Sequence, residues 1–198
     1  MQIITDDIEL WQAIVAGDEH SFQQVYRAHF TMLYEYGMRF TGDEAMIREC
    51  IQQLFVKLWT NKATLTEMKR IKPYLLFSLR AIIYNKFRDE KRRRINELEE
   101  SYDFELEFSP EAAYIQRETN DRKLAALKAA MERLTPRQKE IIYLRYFQEL
   151  DYKEIASIMD VTVKGAYKLT ARSLEALRDL LDISLVAVIC LLKAAASQ

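Results

Sequence analysis

The sequence predicts an all-α protein made of two small helical bundles joined by an acidic linker. Three observations carry this. Glu, Lys, Arg, Leu and Ala are abundant while only four Gly and three Pro occur in 198 residues, a composition that favours helices over turn-rich sheets. Helix-start residues recur just before apolar stripes of helical period. No segment gives a convincing strand. With 49% apolar residues, the chain is long enough for two cores. The expected extents are a first bundle over 1–94, the linker over 95–109, a second bundle over 110–182 and an apolar tail over 183–198.

A first short helix begins near Asp6 and ends at Gly17. Asp18 caps a second that runs to about Thr41, where Gly42 and Asp43 repeat the stop-and-cap signal. A third helix covers 43–60, with Ile47, Ile51, Leu54, Phe55 and Leu58 on its core face. Residues 60–72 read as a loop. Pro73 suits the first turn of a fourth helix, which reaches about Arg94 with Leu75, Leu76, Leu79, Ile82 and Ile83 inward. After the linker, Ser109-Pro110-Glu111 starts a helix that runs to Leu134. Thr135-Pro136-Arg137-Gln138 forms a capping box, and Asp151-Tyr152-Lys153-Glu154 opens a further helix. The last long helix starts near Thr162–Val163.

Net charge is only −1, but it is segregated. Lys86, Arg88, Lys91, Arg92, Arg93 and Arg94 form a basic block broken by Asp89 and Glu90, and Glu97, Glu99, Glu100, Asp103, Glu105 and Glu107 follow directly. The first stretch suits a polyanion and the second repels one. Cys50 and Cys190 lie far apart in apolar sequence, so two free thiols are expected rather than a disulfide or a metal site. Met1 is followed by Asp6 and Asp7 with no basic n-region, so no secretory leader is expected. No Gly-rich phosphate loop or metal-ligand cluster is visible, and His20 and His29 are the only histidines. No catalytic residue, cofactor or small-molecule substrate is expected.

Asp151 to Leu181 reads as a helix-turn-helix. Ile155, Ala156 and Met159 face inward on the first helix, and small Ala156 lets a second helix cross closely. Asp160-Val161-Thr162 makes the turn, with Val161 as its apolar plug. On the second helix Ala166, Leu169, Ser173, Leu177 and Leu180 share one side. Lys164, Lys168 and Arg172 recur every four residues on the other, beside Tyr167 and Ala171. A lysine stripe alone more often describes a solvated surface helix. Joined to the capped short helix and the turn plug, it describes a helix that enters the major groove.

On the 73–94 helix, Arg80, Tyr84, Arg88, Lys91 and Arg92 lie away from the core. Cations track a phosphate backbone and an aromatic stacks on an unpaired base; a snorkelling basic face is the plainer reading. Nothing in this helix alone chooses between single-stranded and duplex DNA. Opposite the core stripe of the 43–60 helix lie Glu49, Gln52, Val56 and Trp59. A Val and a Trp on a wet face imply either burial on both sides or a docking surface for another protein.

Several strings resemble the sigma-70 family of RNA polymerase sigma factors, in its extracytoplasmic-function (ECF) subfamily. Gly17-Asp18-Glu19-His20-Ser21-Phe22 followed by Val25-Tyr26 resembles the opening of region 2. Glu49-Cys50-Ile51-Gln52-Gln53-Leu54-Phe55-Val56-Lys57-Leu58-Trp59 resembles that region's most recognisable string. Tyr74-Leu75-Leu76 through Asn85, with Asp89 and Arg92, resembles its promoter-melting helix. Leu134-Thr135-Pro136-Arg137-Gln138 and Tyr152-Lys153-Glu154-Ile155-Ala156 resemble region 4. The match covers most of residues 8–180 in the right order. Arg48 and Gln53 depart from the family's usual acidic residues, and Gly165-Ala166 replaces its common Thr-Val.

The resemblance implies an alternative sigma factor acting in the cytoplasm: a non-enzymatic protein whose partners are core RNA polymerase, promoter DNA and an anti-sigma factor. It implies that Glu49, Gln52, Gln53 and Trp59 dock on the clamp coiled coil of the largest polymerase subunit. The 60–72 loop with Lys62 would accept a flipped base of the −10 element, and Arg80, Asn85, Arg88 and Arg92 would hold the separated strand. Lys153, Lys164, Tyr167, Lys168 and Arg172 would read the −35 element, while the other side of region 4 grips the flap of the second-largest subunit. The linker would run along the RNA exit path. The main rival is a helix-turn-helix regulator that binds promoters without polymerase, and a helical enzyme is a weaker one. The apolar run from Ile183 to Leu192 is too short to span a membrane. It is expected to extend the last helix and pack on region 4, or to offer a surface to an anti-sigma factor.

Overall fold

The computed structural model describes residues 6–64, 69–93, 103–106 and 118–196. Every regular element among them is helical. The chain divides into two compact units, Met1–Ser101 and Tyr102–Gln198.

The first unit contains α1 (Asp7–Val15), α2 (Glu19–Met38), α3 (Glu44–Thr60), a 3₁₀ turn (Lys62–Thr64) and α4 (Ile71–Arg93). The expected caps are in place. The carboxylates of Asp6, Asp18 and Asp43 accept backbone N–H bonds from Ile8, Ser21 and Met46, each satisfying a donor that the helix itself leaves open. Gly17, at φ +95°, closes α1 in the left-handed region where a side chain is disfavoured. Helix α4 starts at Ile71, two residues before Pro73, because Asp7 of α1 reaches across to accept the Ile71 N–H at 2.9 Å.

Every residue expected inward on α3 and α4 is buried: Ile47, Ile51, Leu54, Phe55 and Leu58, and Leu75, Leu76, Leu79, Ile82 and Ile83. Leu10, Trp11, Ile14, Val25, Leu33 and Tyr36 complete the core from α1 and α2. Trp11 meets the edge of Tyr74 at 5.2 Å. Helices α2 and α3 approach so closely that a Cβ on Gly37 would lie 2.6 Å from Ile47 Cγ2.

The second unit contains α5 (Glu118–Glu132), α6 (Pro136–Ile142), a π-helical turn (Tyr143–Phe147), α7 (Tyr152–Met159), α8 (Val163–Leu181) and α9 (Leu185–Ala196). The expected start at Ser109-Pro110-Glu111 lies outside the described residues. Both capping boxes, Thr135/Gln138 and Asp151/Glu154, are formed. Within the stretch 95–109, Phe104 and Leu106 are buried in this unit, Phe104 against Tyr143 at 5.9 Å.

The tail does not extend α8. Asp182 adopts φ 51° and ends that helix; Ser184 then accepts the Ala187 N–H, and α9 folds back on α5, α8 and the π turn. Its Val188 and Leu192 are fully buried. The apolar run is thus satisfied by packing back rather than by lengthening a helix into water. No helix among the described residues is long and apolar enough to cross a membrane. Cys50 and Cys190 are both free, and burial pushes the Cys50 thiol up to about 11.

Candidate nucleic-acid and protein interfaces

In the second unit, Ile155, Ala156, Ile158 and Met159 anchor α7, and Ala166, Thr170, Ser173 and Leu177 anchor α8. The two buried hydroxyls cost little, because Thr170 and Ser173 donate to the carbonyls of Ala166 and Leu169. Asp160, at φ 52°, makes the turn, and the Val161 N–H closes it on Ala156 O at 3.0 Å. Thr162 caps α8 by accepting from Gly165 N at 3.0 Å. With one face of α8 held in this way, Lys164, Tyr167, Lys168 and Arg172 all project to solvent. None of the three cations has an ion-pair partner among the described residues. Lys153 is exposed near the start of α7, next to Tyr152, whose ring stacks on Tyr167. The five residues expected at this face therefore lie on its two adjoining helices.

The first unit has two surfaces. On α4, Asn85 and Arg88 are exposed and Arg80 is half-buried. Arg80 lies 4.2 Å over the Tyr84 ring and donates to its hydroxyl at 2.9 Å. Arg88 donates to Asn85 at 2.8 Å. The Arg92 side chain lies outside the described residues. Lys62 does not join this group: its ammonium sits 4.0 Å over the Trp59 ring and donates to Trp59 O.

The second surface is an open apolar groove of about 260 Å³ lined by Phe22, Tyr26, Gln52, Phe55, Val56, Trp59 and Thr60. Val56 is 57% exposed, which rules out burial on both sides of α3 at this position. The groove floor is an aromatic cluster, with Phe22 4.9 Å from Trp59 and Tyr26 4.8 Å from Phe55. Glu49 and Gln53 flank it on the exposed side of α3, Glu49 tied to Lys86 of α4 at 2.6 Å. Of the four residues expected here, Gln52 and Trp59 line the groove itself. Sequence reading missed the contribution of Phe22 and Tyr26, whose i,i+4 spacing on α2 was the available signal.

No group of three or more metal-ligating side chains occurs among the described residues. The arrangement offers cations, apolar surface and aromatic rings, groups suited to binding a polyanion and a protein surface.

Comparison with known proteins agrees with this geometry. The sigma-70 region 2 model matches residues 25–93 and the sigma-70 region 4 model matches residues 124–177. A curated relative, the ECF RNA polymerase sigma factor BldN of Streptomyces coelicolor, is 27% identical over 176 residues, which is 88% of this chain and 65% of that protein's length. Two solved structures share the fold. One is CnrH in complex with the cytosolic domain of CnrY, with a TM-score of 0.57 and 20% identity over 89% of this chain and 97% of that one. The other is the sigma factor RpoE in complex with the anti-sigma factor NepR from Bartonella quintana, with a TM-score of 0.60 and 18% identity over 82% and 98%. Because the region 2 and region 4 models follow one another along the chain and together span more than half of it, the chain belongs to the sigma-70 family, in its extracytoplasmic-function branch.

Proposed function

We propose that this protein is an alternative sigma factor of the cytoplasm, which binds core RNA polymerase and directs it to a specific set of promoters without catalysing a reaction itself. The observation that carries the reading is the exposed cationic face of α8, held by a capped and closed helix-turn-helix within the region 4 match. A helix so presented fits the major groove, where Lys164, Lys168 and Arg172 reach phosphates and base edges of the −35 element.

Region 2 supplies the rest. The groove between α2 and α3, with Glu49, Gln52, Gln53 and Trp59, suits a helical partner and is assigned to the clamp coiled coil of the largest polymerase subunit. Arg80, Asn85, Arg88 and Arg92 on α4 are assigned to the separated −10 strand, and the 60–72 loop with Lys62 to a flipped base. Extruding that base costs a few kcal/mol, and base stacking at about 1–3 kcal/mol per base offsets it. An anti-sigma factor is assigned as the inhibitor; both solved relatives above are complexes.

The decisive experiment is run-off transcription with purified core polymerase, comparing wild type with the Lys168→Ala, Arg172→Ala double variant. Loss of −35-dependent transcription with unchanged core binding is expected. Unchanged promoter output would sink the assignment of α8, and specific promoter binding without core enzyme would favour a polymerase-independent regulator.

A further inference from the structure

Tyr167 is the one aromatic side chain among the exposed residues that α8 presents beside Lys164, Lys168 and Arg172. The residue is 54% exposed, yet its ring has a partner. It stacks on Tyr152, the first residue of α7, with ring centroids 3.8 Å apart and planes 29° from parallel. Tyr152 is held in turn. The Arg145 guanidinium lies 4.9 Å from the Tyr152 ring centroid and donates to the Leu150 carbonyl at 2.7 Å. The Asp151/Glu154 capping box fixes the backbone at the same point. A column of Arg145, Tyr152 and Tyr167 therefore runs from the π turn, through the start of α7, onto α8.

The column bears on what Tyr167 can recognise. An exposed side chain ordinarily loses rotamer freedom when it is ordered against a ligand. Here the stack has removed that freedom in the unbound protein, and what projects is a fixed ring. A phenol carries no charge for a phosphate and lacks the paired donors that read guanine O6 and N7. The apolar feature in the floor of the major groove is the thymine C5-methyl group. Exposed Ala171, one turn on, adds a second small apolar group to the same side of the helix.

Resting on the reading of α8 as the −35 recognition helix, we infer that Tyr167 reads a thymine methyl group in the −35 element, and that Tyr152 and Arg145 are the positioning residues that hold it there. The cations then supply attraction to the backbone, and the tyrosine supplies discrimination at one base pair.

The test uses the full chain assembled with its core polymerase and a duplex pool randomised across the −35 hexamer. Enriched duplexes are resynthesised with deoxyuridine replacing each thymidine in turn, which removes one methyl group and leaves pairing unchanged. Wild type is expected to lose about fourfold in affinity at one position, the worth of a single buried methyl group. Tyr167→Ala and Tyr152→Leu should bring that ratio towards one, whereas Tyr152→Phe, which keeps the ring, should preserve it. A simple folding defect would lower affinity for both duplexes and leave the ratio intact. Enrichment of a −35 sequence with no methyl dependence at any position overturns the inference alone. A full methyl dependence in Tyr152→Leu overturns the positioning role. No enrichment in the hexamer overturns the inference together with the reading of α8 on which it rests.

Discussion

The two units handle charge in opposite ways. In the C-terminal unit Lys164, Lys168 and Arg172 of α8 stand in solvent without ion-pair partners among the described residues. In the N-terminal unit several charged groups on the two surfaces are engaged nearby: Lys86 with Glu49, Arg80 with Tyr84, Arg88 with Asn85, and Lys62 over Trp59. What the N-terminal unit leaves open is apolar, the groove around Val56 and Trp59. The contrast separates two kinds of recognition. A free cation face gives long-range, salt-dependent attraction to a polyanion. An apolar aromatic groove, with Glu49 and Lys62 beside it already engaged, suits short-range shape recognition of a protein.

The contrast breaks most sharply at Trp59. Trp59→Ala should weaken core-polymerase binding by about 2 kcal/mol or more, the scale of a buried aromatic anchor, and leave the −35 preference of the assembled enzyme unchanged. Unaltered core affinity in a titration would make Trp59 a packing residue only.

A smaller effect, on stability, is expected at Gly37. Gly37→Ala places a methyl group 2.6 Å from Ile47 Cγ2, and overpacking of this kind costs about 1–3 kcal/mol. Both tryptophans, Trp11 and Trp59, lie in the N-terminal unit, so fluorescence-monitored denaturant unfolding reads that unit alone. A midpoint equal to wild type would mean α2 and α3 separate without loss.

The charge comparison itself predicts a difference in salt response. Lys164→Ala should reduce the slope of log affinity against log salt for promoter DNA by about 1, whereas Glu49→Gln should leave it unchanged. Because the Glu49–Lys86 pair is exposed, Glu49→Gln should also shift stability by less than about 1 kcal/mol. Equal salt slopes for wild type and Lys164→Ala would remove Lys164 from the phosphate contacts.

The smallest effect is a pH dependence confined to one unit. Burial holds His29 below its ordinary value of 6.5, with Lys72 acting in the same direction and Asp7 opposing. A depressed histidine means the unfolded chain binds the proton first, so folding stability declines as pH falls below about 6.5 and levels off beneath the folded value. The C-terminal unit contains no histidine and should lack this step. His29→Gln should remove it from the tryptophan-monitored melt; an unchanged acid shift would assign it to other groups.

Much of this architecture was legible locally. Caps at Asp18, Asp43, Thr135, Asp151 and Thr162 were readable because a cap is a bond between residues two or three apart. The buried faces of α3, α4 and α7 were readable because helical period alone puts their apolar residues on one side; on α8 Ala166, Ser173 and Leu177 are buried as expected, while Leu169 and Leu180 are half-buried and Thr170 joins the core instead. For the same reason the cation stripe of α8 was visible before any fold was known.

The remainder depends on contacts between segments distant in the sequence. The start of α4 at Ile71 needs Asp7, which lies 64 residues away. Only the packing of α2 on α3 brings Phe22 and Tyr26 beside Trp59 to make a groove, and only the close crossing of α7 and α8 stacks Tyr152 on Tyr167. The apolar tail could have lengthened α8 as far as its composition went; burial of Val188 and Leu192 decided that it turns back as α9. The sequence by itself determined the helices, their caps and their wet and dry faces, because those follow from period and neighbouring hydrogen bonds. Tertiary structure alone decided which wet faces stay open and which charges are already engaged, because those depend on what each face meets across the core.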